Sequence, residues 1–476
     1  MDKISAPQTA ENADGSAKEA RKGNFLTEGN VLKALLIVAL PIILSNLLQS
    51  VLEVVDMYFI GHLGDNAIAA GTMSMSVIMV LMTVIFGVVT ATAAFVSRAY
   101  GSAKYERIQI ILAHSLYVAI GLSIIIAVIG FFFSENVLVL LGADPEVVAE
   151  GVKYLRPALT GIFIMVILFI LTTVFQSTGD SRTPMFVMIA VNLINIALNP
   201  SLIQGLWIFP ECGIAGSAYA TLTSRALGVI LLIAAMYLLP SKKNSPIKFP
   251  KKWTFEPKLL LNIVMVAIPS AIQSGIRSFA FVGMTAVIAI YGTAAVAAYG
   301  ICGRLDMLGF VLVMGLCTGV SVMVGQNLGA GKVERAEKSV RYAVIINMVF
   351  MALVGAAYLI FAPHLLEIFG ATADSLSIGI SFMQIVPLSY FIIAAAMTMG
   401  FAMNGAGMTR PGMYSALAGQ LIFQVGLSAY LVFTGHPIEH IWITVAFSSV
   451  IVFAFDFFFY KLGHWKTNKL HLGGEE

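Results

Sequence analysis

The sequence predicts an all-α polytopic membrane protein, with twelve transmembrane helices in two pseudo-symmetric six-helix bundles. Three observations lead there. Of 476 residues, 59% are hydrophobic and only 11% are charged, against about 25% charged in an ordinary soluble domain. The mean hydropathy is +0.90. Twelve apolar segments have roughly the length that crosses a bilayer, and the first six reappear in the last six.

The segments run over 33–60, 66–97, 108–133, 150–177, 183–204, 213–240, 257–290, 295–325, 338–362, 376–404, 411–434 and 438–461. Each approaches or exceeds the ~20 residues that an apolar helix needs to span. Several contain Pro or Gly (Pro41, Gly87, Pro269, Gly315), which permit a kink, and the longer ones can tilt.

The repeat needs no gap. Pro41 matches Pro269, Gly64 matches Gly292, and Ala69-Ala70 matches Ala297-Ala298. Gly87 and Thr90 match Gly315 and Thr318, and Gly101, Lys104, Glu106 and Arg107 match Gly329, Lys332, Glu334 and Arg335. Gly142-Ala143, Gly179, Arg182 and Met185 match Gly370-Ala371, Gly407, Arg410 and Met413. Every pair is 228 apart (269 − 41, 335 − 107, 413 − 185). Six helices per unit is an even number, so both units insert the same way up, related by an axis along the membrane normal.

The expected organisation is a disordered polar tail over 1–30, a first lobe over 31–240, a basic linker over 241–257, a second lobe over 258–462 and a tail over 463–476. The polar composition of the first tail lacks the apolar content to form a core, and no short apolar run with a cleavage site makes it a signal peptide. Lys and Arg gather in the N-tail, Arg98–Arg107, Arg182, Lys242–Lys258, Lys332–Arg341, Arg410 and after Lys461. The alternate loops carry acidic residues instead. By the positive-inside rule both termini are cytoplasmic, in a cell (inner) membrane.

Other function classes are weakly supported. A net charge of +3 does not argue for nucleic acid. Cys212, Cys302 and Cys317 have no metal or disulfide spacing. The H-x-x-E-H string His436-Pro437-Ile438-Glu439-His440 matches an inverted zinc-peptidase motif, but with proline inside a tight outer loop it lacks the helix such sites need. No phosphate loop of the Walker type is present. The expectation is a protein that is not an enzyme, with no cofactor.

The chemistry concentrates at the end of the first segment, Leu52 to Gly64. Glu53 and Asp56 are three apart and share a helix face. A charge inside the bilayer costs at least roughly 3 kcal/mol, so it is seldom kept without a use. If desolvated, the two carboxylates would share a proton or hold a cation; if Glu53 lies in the headgroup layer it stays solvated. On the fifth segment Asn192, Asn195 and Asn199 form one polar stripe, which serves either ion binding or helix-to-helix bonding. Arg304 and Asp306 on the eighth segment do not face one another and each needs another partner. Arg225 and Arg277 lie mid-segment and are expected to pair between helices, whereas Arg156 and Asp456 lie near helix ends, where snorkelling is expected. Gln49, Asn192, Arg304, Asp306, Gln420 and Gln424 are candidates to line a substrate cavity. Two like bundles facing across a bilayer suggest alternating access around that cavity; a channel would more often repeat a short filter.

These residues resemble a known family. Val55-Asp56-Met57-Tyr58-Phe59-Ile60-Gly61-His62-Leu63-Gly64 is similar to the first-helix signature of the MATE multidrug and toxic-compound extrusion transporters, which share the two-lobed MOP-type fold. So are Gly325-Gln326-Asn327-Leu328-Gly329-Ala330-Gly331-Lys332-Val333-Glu334-Arg335-Ala336, Gln176-Ser177-Thr178-Gly179-Asp180-Ser181-Arg182-Thr183-Pro184 and Gly213-Ile214-Ala215-Gly216-Ser217-Ala218-Tyr219-Ala220-Thr221. The resemblance covers about residues 30 to 462 and is closest to the prokaryotic branch with its coupling carboxylate in the N-terminal lobe. It implies a secondary antiporter that exports amphiphilic, cationic compounds in exchange for H⁺ or Na⁺, among membrane lipids and as a monomer. It also implies a cation site at Asp56, Asn195, Asn199 and Thr221, with Glu53 beside it. The chain departs from the pattern at Asn199, where that branch has a second Asp; the substitution removes a charge that would help hold Na⁺. The competing expectation is a flippase for a lipid or lipid-linked precursor on the same fold.

Overall fold

The computed structural model describes residues 25–238, 247–250 and 253–473. Its helices are α1 (Val31–Gly61), α2 (Asp65–Gly101), α3 (Tyr105–Leu140), α4 (Pro145–Thr160), α5 (Ile162–Ser177), α6 (Arg182–Gln204) and α7 (Ile214–Leu238) in the first repeat. The second repeat has α8 (Pro257–Ala289), α9 (Thr293–Gly329), α10 (Val333–Ile368), α11 (Ala373–Ile385), α12 (Tyr390–Gly405), α13 (Arg410–Ser415), α14 (Ser428–Phe433) and α15 (Ile438–Leu462). A short α16 (His464–Thr467) follows. Among the described residues, eleven helical runs are long and apolar enough to cross a membrane, and the bent pair α4–α5 makes a twelfth. This is an all-α polytopic bundle, as the sequence predicts.

Several helices outrun their apolar segments. α3 continues to Leu140 and α10 to Ile368, because a helix keeps its hydrogen-bond ladder until a residue can turn the chain. The turning residues are repeat-equivalent glycines with left-handed backbones: Gly142 (φ 82°) and Gly370 (φ 84°) end these two helices. Gly64 (φ 106°) and Gly292 (φ 103°) make the first turn of each repeat the same way.

Three spans are irregular. The fourth is two helices that meet at Gly161 with a 47° bend; a Cβ at Gly161 would meet the Leu222 methyls at 2.6 Å. In the tenth, a 3₁₀ turn over Val386–Ser389 joins α11 to α12, placed by Pro387, which has no N–H to continue the ladder. In the eleventh, a π-helical run over Ala416–Leu427 joins α13 to α14 and carries both Gln420 and Gln424.

The repeats meet along a pseudo-symmetric seam. Gly87 on α2 lies against Ala267 and Ala271 on α8, with a Cβ at Gly87 only 2.8 Å from that of Ala271. The equivalent Gly315 on α9 lies against Ile43 on α1, where a Cβ would be 3.0 Å from the Ile43 Cα. Nearer the chain termini, Gly101 abuts the Gln326 backbone and its equivalent Gly329 abuts that of Arg98. These close approaches run from the middle of the bundle to the end that carries both termini. Gln326 also donates to the Ser177 carbonyl across the seam at 2.7 Å.

The expected tails and linker hold structure where they are described. Leu26 is fully buried, and α1 begins behind Asn30, whose side chain accepts from the Lys33 N–H at 3.1 Å. Beyond α15, Trp465 is buried, its indole donating to the Tyr460 carbonyl at 3.0 Å. Asn468 donates to the Ala406 carbonyl at 2.9 Å and accepts from Arg98 at 2.8 Å. Ile247 in the linker is buried too. Residues 1–24 of the expected disordered tail lie outside the described residues.

Candidate ion and substrate site

Asp56 occupies the buried face of α1 and is 6% exposed. That face exists because apolar and small residues recur on α1 at Leu35, Val38, Ala39, Ile42, Ser45, Leu52 and Ile60, the spacing of a packed helical stripe. α6 and α7 lie beside it and supply the polar groups. The Asn199 amide donates to one Asp56 oxygen, and the Thr221 hydroxyl donates to the other at 3.4 Å. Asn195 donates to Thr221 at 3.1 Å and accepts from Asn199 at 3.4 Å. Asn195 and Asn199 are completely buried. The structure therefore brings Asp56, Asn195, Asn199 and Thr221 into one hydrogen-bonded cluster among three helices.

Glu53 does not join it. Its carboxylate is on the exposed side of α1, accepting from Gln49 at 3.3 Å. The buried stripe runs through Leu52, Asp56 and Ile60 at four-residue steps, and Glu53 lies off it. Asn192 is used differently from its neighbours: its amide donates to the Leu48 carbonyl at 2.8 Å, tying α6 to α1. Its Oδ1 and that of Asn199 are buried with no hydrogen-bond partner, so each leaves an acceptor open to an ion or a water.

Two residues complete the cluster that the sequence reading did not assign to it. Arg225 is one turn beyond Thr221 on α7, within electrostatic reach of Asp56 and Tyr154. Its guanidinium also contacts the Met165 sulfur. Tyr154 on α4 is 5% exposed and faces the same groups. The signal for Tyr154 was available: Val147, Val148, Gly151, Tyr154 and Leu155 are the buried residues of α4 at helical spacing.

In the second repeat, Asp306 accepts a hydrogen bond from the Tyr390 hydroxyl, while Arg304 is exposed. Gln424 accepts from Ser448 on α15 at 3.2 Å, and the Gln420 Oε1 is buried without a partner. The snorkelling expected of Asp456 is corrected. It is 3% exposed, lies beside Gly400 on α12 and is within electrostatic reach of Arg277 on α8. Six residues (462 − 456) separate it from the end of α15 at Leu462, about 9 Å along the axis, too far for a short carboxylate to reach the interface. Arg156 sits over the Phe131 ring at 5.8 Å.

Among the described residues, no group of three or more His, Cys, Asp or Glu is placed to hold a metal ion. The two histidines of the H-x-x-E-H string contact one another at 3.2 Å, with Pro437 as the residue before α15.

Two duplicated six-helix units with a polar cluster buried in one of them define a two-lobed membrane transporter. A model of the MatE family matches residues 41–201 and again 269–429, one match in each repeat. The probable multidrug resistance protein YoeA of Bacillus subtilis is 28% identical over 383 residues, covering 79% of this chain and 82% of that protein. YpnP of the same organism, also named a probable multidrug resistance protein, is 28% identical over 459 residues, 94% of this chain and 99% of its own. A crystal structure of MATE in the straight conformation superposes with a TM-score of 0.85 at 23% identity, covering 94% and 99% of the two chains. The chain belongs to the MATE family of multidrug efflux transporters.

Proposed function

We propose that the protein is a secondary antiporter that expels amphiphilic, cationic compounds in exchange for an ion admitted at Asp56. The observation that supports this most directly is a single carboxylate, 6% exposed, held by donors from two neighbouring helices. Displacing those donors is the kind of event that can tie ion binding to a helix rearrangement. On this reading both termini are cytoplasmic. The lobes are then closed on the cytoplasmic side, where Gly101 and Gly329 meet the opposite repeat's backbone.

Of H⁺ and Na⁺, the charge set favours the proton. Na⁺ needs several oxygen ligands presenting lone pairs. Here both Asp56 oxygens already accept hydrogen bonds, and the oxygens left open, Asn192 and Asn199 Oδ1, are neutral amides. A proton needs one lone pair only. Once it binds, Arg225 is no longer balanced, and the added positive charge in the pocket would drive a cationic substrate out.

The test is reconstitution in liposomes with a fluorescent cationic dye, applying a pH gradient and a Na⁺ gradient separately. Dye movement driven by the pH gradient and lost in Asp56→Asn is the expected result. Movement that follows Na⁺ alone removes the proton assignment. No gradient-driven movement, with Asp56→Asn unchanged, rejects drug antiport and makes lipid flipping the leading reading.

A further inference from the structure

Arg107 and Arg335 hold equivalent places in the two repeats, 228 apart (335 − 107). Each lies in the first turn of the helix that follows the seam glycines, Arg107 on α3 and Arg335 on α10. Each reaches across to the segment that leads into the first helix of the other repeat.

Arg335 donates to the carbonyls of Leu26 (3.0 Å), Gly29 (2.7 Å) and Glu28 (2.6 Å). Lys332 donates to the Thr27 carbonyl at 3.0 Å, and Asn327 to that of Leu26 at 3.2 Å. The stretch entering α1 is thereby fixed to the second repeat. In the mirror arrangement Arg107 forms a fork on the Glu256 carboxylate, at 3.0 and 2.6 Å. Glu256 is the cap residue of α8. Its backbone N–H donates to His114 on α3 at 2.8 Å. Arg107 also takes the Leu472 carbonyl, at 3.0 and 2.7 Å, which fixes the C-terminal segment to the first repeat. Even the partners correspond: Glu28 and Glu256 are 228 apart (256 − 28), and Glu28 lies 3.8 Å from Lys332.

We infer that Arg107 and Arg335 are a paired latch that holds the two repeats together at the termini end, and that both must let go before a cavity can open there. The inference rests on the alternating-access reading above. The seam under the latch is backbone against backbone at Gly101 and Gly329. Apolar side chains flank it: Val38 of α1 shares a buried cluster with Val320 and Val324 of α9, and Ile263 of α8 shares one with Val88 and Ala91 of α2. That packing is not directional, whereas the polar ties around it fix one arrangement and must break as well; a fork of charge-assisted bonds is the strongest kind the surface offers. The halves differ in one respect. Arg335 reads backbone carbonyls, which do not titrate, whereas Arg107 reads a carboxylate, which does.

The experiment is a pair of spin-label distances in the full-length protein with Cys212, Cys302 and Cys317 replaced. Labels at Ala103 and Ala330 report the termini end, and labels at Asp65 and Thr293 report the far end. Arg107→Gln and Arg335→Gln should each raise the population with a long termini-end distance roughly tenfold, and the double variant roughly a hundredfold. The far-end distance should shorten in step. Glu256→Gln, a gentler change, should act like Arg107→Gln. The swap of Arg107→Glu with Glu256→Arg should recover part of the closure, the part carried by the fork, since a carboxylate at 107 cannot donate to the Leu472 carbonyl. Unchanged distances in the folded double variant would overturn the latch. So would a longer termini-end distance with no far-end response, which is release of the tails alone, or a swap that fails to restore any closure. No substrate is involved, so the latch can fail while dye export stands, and export can fail while the latch stands.

Discussion

The side-chain amide of Asn199 donates directly to the carboxylate of Asp56, across the contact between α6 and α1. A donor therefore stands where a second carboxylate would repel its neighbour. Asn199→Asp reverses that. Two carboxylates in contact cannot both stay charged without a shared proton or a cation between them. The variant should gain a Na⁺-dependent rise in melting temperature that the native protein lacks, read by thermal unfolding in detergent across a Na⁺ titration. A native protein already stabilised by Na⁺ over K⁺ would contradict the proton assignment.

Arg225 should matter through its charge. Arg225→Gln removes a cation within electrostatic reach of Asp56 and should depress proton-driven dye export about tenfold or more, while Arg225→Lys retains a substantial part of it. Equal losses in the two variants, with matched melting temperatures, would point to shape and not charge.

The pairing of Glu256 with Arg107 predicts a pH dependence outside the membrane. The Arg107 fork holds the Glu256 carboxyl below its ordinary range. A depressed folded value means that this contribution is complete above about pH 4.3, the unfolded value, and is lost as pH falls through the folded one. The side chains are 16% and 29% exposed, so about 1 kcal/mol is the reasonable size. Melting curves of the native protein and Glu256→Gln should differ near neutral pH and converge in acid. Parallel curves down to the lowest pH would show that the pair contributes nothing.

Gly87 and Gly315 set how closely the repeats approach. Gly87→Val puts side-chain atoms into Ala267 and Ala271, and overpacking of this kind costs about 1–3 kcal/mol. Gly315→Val, against Ile43, should cost a similar amount because the seam is pseudo-symmetric. Thermal unfolding of the two variants gives the comparison. A large loss at one glycine with none at the other would mean that the two halves of the seam are unequal.

The features legible in the sequence were those with a period or a composition. The 228-residue offset marks Gly64 with Gly292 and Gly142 with Gly370, and the structure gives these pairs nearly equal backbone angles. The stripe of Asn195 and Asn199 and the isolated carboxylate of Asp56 stood out because polar residues are scarce in these segments. What stayed hidden depends on which face of a helix points inward, and on how far each helix runs. Glu53 is as acidic as Asp56 but lies on the exposed face. Asp456 reads as a residue near a helix end, yet it lies on the buried face of α15 beside Gly400. The terminal segments were the hardest to foresee. Arg335 and Arg107 bind mostly their carbonyls, and a carbonyl is the one group that every residue offers equally.

The crossing of the chain ends also orders the protein's birth. Phe25 to Gly29 are made before any helix of the first repeat, yet their partner Arg335 lies 306 positions beyond Gly29. Once its own helices are made, up to Leu238, the first repeat waits with an unsecured leading edge until Arg335 follows. Leu472 can reach Arg107 only after the second repeat has been made, 365 positions later. A nascent chain therefore cannot complete its closed form by growing from one end. It assembles two half-bundles and then fastens each to the other's loose end, so an arrested or truncated chain should be left with its seam undone and open to membrane quality control.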